Sequence, residues 1–108
     1  MSAADPLHDL KLRFLDRCRE HATVLGAFVE RPDRISQAGE MDGVVKIVHS
    51  IAGTGGIFGY EALSAMAHEL ETTLIASEPA DPATTLRQFQ RLCRELGHAC
   101  RSTAQERA

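Results

Sequence analysis

Apolar residues return every three or four positions along four stretches of this chain, and nowhere do they alternate with polar ones over a strand's length. That spacing predicts amphipathic helices and excludes half-buried strands. The first helix follows Asp5-Pro6, an N-cap residue and a proline suited to the first turn. Its apolar stripe runs through Leu7, Leu10, Phe14, Cys18, His21 or Ala22, Leu25 and Phe28, and it should stop before Pro32. A second begins near Asp33, its start weakened by Gly39 and Gly43, and Gly55-Gly56-Ile57-Phe58-Gly59-Tyr60 breaks or ends it. A third spans about Tyr60 to Ser77 with Leu63, Met66, Leu70 and Leu74 inward. Pro79 and Pro82 bracket a turn, and a fourth helix from Asp81-Pro82 turns Leu86, Phe89, Cys93, Leu96 and Cys100 inward. Four such helices on short connections make an all-α, antiparallel up-down four-helix bundle over residues 1–101, and a polar tail over 102–108 is expected to fray.

A chain of 108 residues is one domain, able to bury a core without staples. Tryptophan is absent and aromatics are few, so that core must be aliphatic. A formal charge of −3, with no run of Lys or Arg, gives no sign of nucleic-acid binding. The N-terminus lacks the basic start and apolar run of a secretory signal. Residues 47–60 carry no charged side chain apart from His49, but this stretch is too short and glycine-rich to span a bilayer. The expectation is a cytoplasmic protein that is monomeric and touches neither membrane nor nucleic acid. Cys18, Cys93 and Cys100 show no CxxC spacing, and the last two stand two helical turns, about 10 Å, apart. All three fall on apolar stripes and read as small core residues with reduced thiols.

His49 breaks the pattern of the second helix. Met41, Val44, Val48 and Ile51 share its buried stripe, and His49 lies about 100° round from Val48, at the stripe's edge. Its neighbours on that face are Lys46, Ala52, Gly53 and Gly56: one positive charge and residues too small to hide an imidazole. If the helix continues, Gly53, Gly55 and Gly56 together cost about 3 kcal/mol against alanine, a large share of a domain's roughly 5–15 kcal/mol of stability. Local rules broken at that cost tend to mark functional sites. The alternative is that the helix ends near Gly53 and the glycines form a loop.

Other motifs fail. Gly53 to Gly59 matches neither GxxxxGK[ST] nor GxGxxG and follows no strand, and there is no HExxH. His68 and Glu71, three apart on the third helix, could ligate a metal, but bundle metal sites need further inward carboxylates that the neighbouring helix lacks. They could equally form a solvated face. Nucleophilic use of His49 is the stronger chemistry. A carboxylate that accepts one ring N–H fixes the tautomer and makes the other nitrogen more basic, and Glu71 can supply it. Phosphorus suits as electrophile, because its transfer needs access, in-line approach and nearby positive charge.

The segment His49-Ser50-Ile51-Ala52-Gly53-Thr54-Gly55-Gly56-Ile57-Phe58-Gly59-Tyr60 resembles the phosphoacceptor segment of histidine phosphotransfer (HPt) domains, most closely the N-terminal domain of chemotaxis histidine kinases. His49, Ile51, Gly53, Gly59 and Tyr60 match that pattern. Leu63 to Glu71 is similar to the helix that follows it in the family, where a His and a Glu hydrogen-bond around the phosphoacceptor; His68 and Glu71 have that spacing, and Lys46 falls where a basic residue is frequent. The likeness is close over the middle third of the chain and, as a four-helix outline, covers nearly all of it. It implies a phosphocarrier without an ATP site or cofactor, in which His49 takes a phosphoryl group on the ring nitrogen remote from Glu71. His49 would exchange that group with the aspartate of a response-regulator receiver domain, and a histidine kinase or hybrid kinase would be the donor. The partner surface would comprise Ala52, Gly53, Gly56 and Ile57. One position departs from the family: Ala52 stands where a lysine commonly contacts the phosphoryl oxygens. A docking module that has kept the fold and lost the transfer is therefore the second possibility, and a helical metal or redox protein the third. Met1 and the polar tail point to a free-standing module.

Overall fold

The computed structural model describes residues 6–36, 38–78 and 80–107, with side chains except at 36, 38 and 102–107. The expected N-cap at Asp5, the turn residue Pro79 and the side chains of the tail lie outside it. Four helices follow in order: α1 (Pro6–Glu30), α2 (Ala38–Ile57), α3 (Glu61–Ile75) and α4 (Pro82–Arg107). No strand occurs among the described residues. The backbone of α4 stays helical through 102–107, the segment expected to fray.

The second helix starts later than its apolar spacing predicts. Pro32–Ser36 forms a separate 3₁₀ turn, and α2 begins at Ala38. The Arg34 guanidinium clamps the two, donating to Glu40 Oε1 at 2.7 Å through Nη2 and at 3.2 Å through Nε. The same group lies 4.7 Å from the centre of the Phe28 ring. This partner holds the Glu40 carboxyl below the usual carboxylate range.

α2 packs most extensively on α3 and α1 on α4, with α3 also against α4; α1 and α2 meet sparsely. The order round the bundle is therefore α1, α4, α3, α2, with α2 and α4 across from each other. Leu15, Leu25, Val48, Ile51, Leu70, Phe89, Leu92 and Leu96 are fully buried between the four helices. The core is mainly aliphatic, but three of the four phenylalanines, Phe14, Phe28 and Phe89, are buried in it as well.

Two stripes differ from their expected course. Leu7 and Leu10 are not inward: they are 60% and 51% exposed. The first turns of α1 border a groove of about 510 Å³ shared with Phe14, Ile51, Thr54 and Ile57. In α4 the buried seam is Thr85, Phe89, Leu92, Leu96 and Ala99, so Leu86, Cys93 and Cys100 are only half-buried. α4 sits between α1 and α3, and its seam includes a threonine and an alanine that hydrophobic spacing passes over. The Thr85 hydroxyl is satisfied by the Asp81 carbonyl at 3.5 Å. In α3, Leu63 and Leu70 are buried as expected, Met66 and Leu74 pack on the core's edge, and Ala67 joins them inside.

All three cysteines are free thiols. Burial pushes the Cys18 thiol up to about 12 and raises Cys93 and Cys100 as well. The reactive thiolate is therefore disfavoured at each. His21 is half-buried on α1, and its pKa is lowered by the same desolvation.

Candidate functional site

The helix carrying His49 does not stop at Gly53. It continues through Gly53, Gly55 and Gly56 to Ile57 and closes on Gly59, whose φ of 84° is a left-handed conformation that glycine adopts without strain. Tyr60 N–H reaches back to the Gly55 carbonyl at 2.9 Å and Gly59 N–H to Gly56 at 3.2 Å. These are the paired bonds of a Schellman cap. The Phe14 ring lies 5.7 Å from that of Phe58 and 6.0 Å from that of Tyr60, pinning the turn to α1.

Packing explains little of the glycine content. A Cβ on Gly53 would meet nothing within 4 Å, and one on Gly56 would touch only Ser64 Oγ at 3.5 Å, an ordinary contact. Gly53 is an exposed helical position with room for a side chain. Gly53→Ala is therefore expected to stabilise the bundle by about 1 kcal/mol. In a domain of this size that raises Tm by roughly 4–8 °C, measured by thermal unfolding. An unchanged or lower Tm would show a packing demand that the open space around Gly53 does not reveal.

The short link of residues 58–60 lays α3 back along α2 and brings Glu71 beside His49. His49 Nδ1 is 2.5 Å from Glu71 Oε2. The imidazole is 75% exposed, whereas the Glu71 side chain is only 15% exposed. A carboxylate is solely an acceptor, so Nδ1 carries the hydrogen and, in the neutral ring, Nε2 keeps the lone pair. The other carboxylate oxygen, Oε1, is 3.7 Å from His68 Nδ1, one turn earlier on α3. Glu71 thus bridges two exposed imidazoles, holding the nearer one in place.

The remaining candidates divide. Lys46 is exposed one turn before His49 and makes no ion pair among the described residues, so its ammonium is available to an incoming anion. Gly53, Gly56 and Ile57 are exposed, Ile57 to 74%. Ala52 is half-buried against α3, and its carbonyl accepts the Ser64 hydroxyl at 2.5 Å. Ser64 was not among the residues expected here. A serine on the apolar side of a helix carries no periodic signal, and its pairing with the carbonyl of another helix becomes visible only in the fold. Among the described residues, no group of three or more His, Cys, Asp or Glu could hold a metal ion, and no helix is long and apolar enough to cross a membrane.

A family model described as the Hpt domain matches residues 9–99, from the first turns of α1 to the end of the buried seam of α4. The chain belongs to the Hpt domain family. Hpt domains are phosphocarrier modules of two-component phosphorelays: a histidine carries the phosphoryl group, and the modules interact with receiver domains and histidine kinases. No curated protein and no solved structure matches the chain.

Proposed function

We propose that His49 is the phosphoacceptor of this Hpt domain and that it exchanges its phosphoryl group with the aspartate of a receiver domain in the cytoplasm. The observation that carries this reading is the contact between His49 Nδ1 and Glu71 Oε2 on an otherwise exposed ring. The Nε2 lone pair attacks phosphorus in line. The bond from phosphorus to the donor oxygen breaks, and its electron pair leaves with that oxygen. As the ring gains positive charge, Glu71 stabilises the hydrogen on Nδ1. Lys46 and His68 supply positive charge or donors around the arriving group. Gly53, Gly56 and Ile57 with the edge at Ala52 form the surface on which the receiver sits, and the missing side chains leave it room. The donor is another receiver or a separate kinase domain, and the protein acts as a monomer.

Phosphotransfer profiling tests the proposal. Hybrid kinases and receivers are phosphorylated, the protein is added, and label is followed by gel and intact mass. Rapid acid-labile labelling from one donor is expected. If no donor labels the folded protein, the transfer role is lost.

Ala52 favours a second reading, a docking module without transfer, because a lysine is common at this position in the family. A phosphoryl group on an exposed ring loses on the order of 1 kcal/mol without that cation. Ala52→Lys is therefore expected to speed transfer about fivefold, measured by quench-flow labelling. No gain would mean that Lys46 already meets the need, or that the half-buried position directs the new side chain elsewhere.

A further inference from the structure

The outer face of α4 carries Arg87, Arg91, Arg94, His98 and Arg101, each three or four residues from the next and every one exposed. At 1.5 Å per residue the stripe is about 21 Å long and nearly straight. In sequence order these residues form no run; on the helix they form one row. Between Pro82 and Arg101, α4 has four arginines against the single glutamate Glu95, in a chain whose formal charge is −3.

Like charges at these spacings destabilise a helix. Little within the molecule offsets that. Arg91 stands 3.9 Å from Glu69, an exposed pair worth little. Arg87 donates to the Thr84 hydroxyl at 3.2 Å and Arg101 to His98 Nδ1 at 2.9 Å. Neither Arg87 nor Arg94 has a carboxylate within ion-pair distance among the described residues. The seam opposite the stripe packs on α1 and α3, so the stripe faces away from α2 and from His49.

We infer that this face docks an acidic α-helix of a partner protein, one with Asp or Glu at three- and four-residue spacing over about four turns. The row is straight and a helix long, and arginine's planar fork pairs with carboxylates through two parallel bonds. A membrane surface fits poorly: helices that lie on lipid bury large apolar side chains, and none of the large exposed apolar residues belongs to α4. Nucleic acid fits poorly too, because the chain as a whole is acidic. The site is independent of phosphotransfer and leaves His49 free while it is occupied.

The test uses the full chain, labelled with nitrogen-15, and a synthetic helical peptide carrying glutamates at i, i+4, i+7, i+11 and i+14. The same peptide with glutamines is the control. Amide shifts are expected over residues 87–101 with none at His49, and binding is expected to weaken as salt rises. The double variant Arg91→Gln/Arg94→Gln should bind the acidic peptide at least tenfold more weakly, with Tm equal or higher and labelling of His49 unchanged. Equal binding of the glutamine peptide, shifts centred on α2 and α3, or full affinity in the double variant would each overturn the inference. So would tighter binding to phosphatidylglycerol vesicles or to duplex DNA than to the acidic peptide.

Discussion

Replacing His49 with alanine is expected to abolish acid-labile phosphate on this protein while leaving the bundle folded. The loss should be complete, because among the described residues no other exposed imidazole has a carboxylate at 2.5 Å. His68 shares the same carboxylate, but at 3.7 Å. The fold should survive because the His49 side chain is 75% exposed and, among the described residues, bonds to Glu71 and to no core residue. Exposed substitutions of this kind usually change stability by less than about 0.5 kcal/mol. Helical circular dichroism and thermal unfolding monitor the fold, and intact mass after incubation with a phosphorylated donor monitors the label. Retained acid-labile phosphate on the folded variant would remove His49 from the role proposed for it.

The second large effect is expected at Glu71. Glu71→Ala should slow transfer by about 10- to 100-fold without eliminating it. A hydrogen bond to a charged group is worth roughly 1.5–3 kcal/mol, and each 1.4 kcal/mol in a barrier is about a factor of ten. The half-hidden position of the carboxylate keeps that value from being screened away. A distinction within the prediction separates positioning from charge. Glu71→Gln keeps an oxygen that accepts the Nδ1 hydrogen but removes the negative charge, so it should fall between wild type and alanine. Rapid-mixing kinetics read all three proteins. Unchanged rates in the alanine variant would exclude Glu71 from the site, and a glutamine variant as slow as alanine would assign the effect to charge alone.

The helices were legible because their apolar residues keep a helical period and because Pro6, Pro32, Pro82 and Gly59 punctuate them. What escaped periodicity has physical causes. Leu7 and Leu10 continue the apolar stripe of α1, but whether a neighbouring helix covers them depends on how the helices pack, which no local pattern encodes. The α4 seam runs through Thr85 and Ala99 instead of Leu86, Cys93 and Cys100, and neither a threonine nor an alanine stands out in a hydrophobic period. The 3₁₀ turn at Pro32–Ser36 is tied to α2 by the clamp between Arg34 and Glu40, a pairing across six positions that helical spacing does not anticipate. At the site, the pairing of His49 with Glu71 could be expected from their spacing on two adjacent helices. The bond from Ser64 to the Ala52 carbonyl could not, since it joins a side chain to backbone on another element. The arginine row was hidden by reading charge along the chain rather than round the helix.

The glycines of α2 also divide that helix mechanically. Val44, Val48 and Ile51 anchor its first part in the core. Beyond Ala52, the backbone of three glycines is held by the Ser64 bond, the closing turn at Gly59 and the packing of Phe58 and Tyr60 on the Phe14 ring. Local opening should therefore cost least in the last turns and most below Ile51. His49 stands just before that border. Its ring stays fixed by the rigid half while the ground next to it can yield, so in the role proposed for His49 partners of somewhat different contour could be seated against one imidazole that does not move.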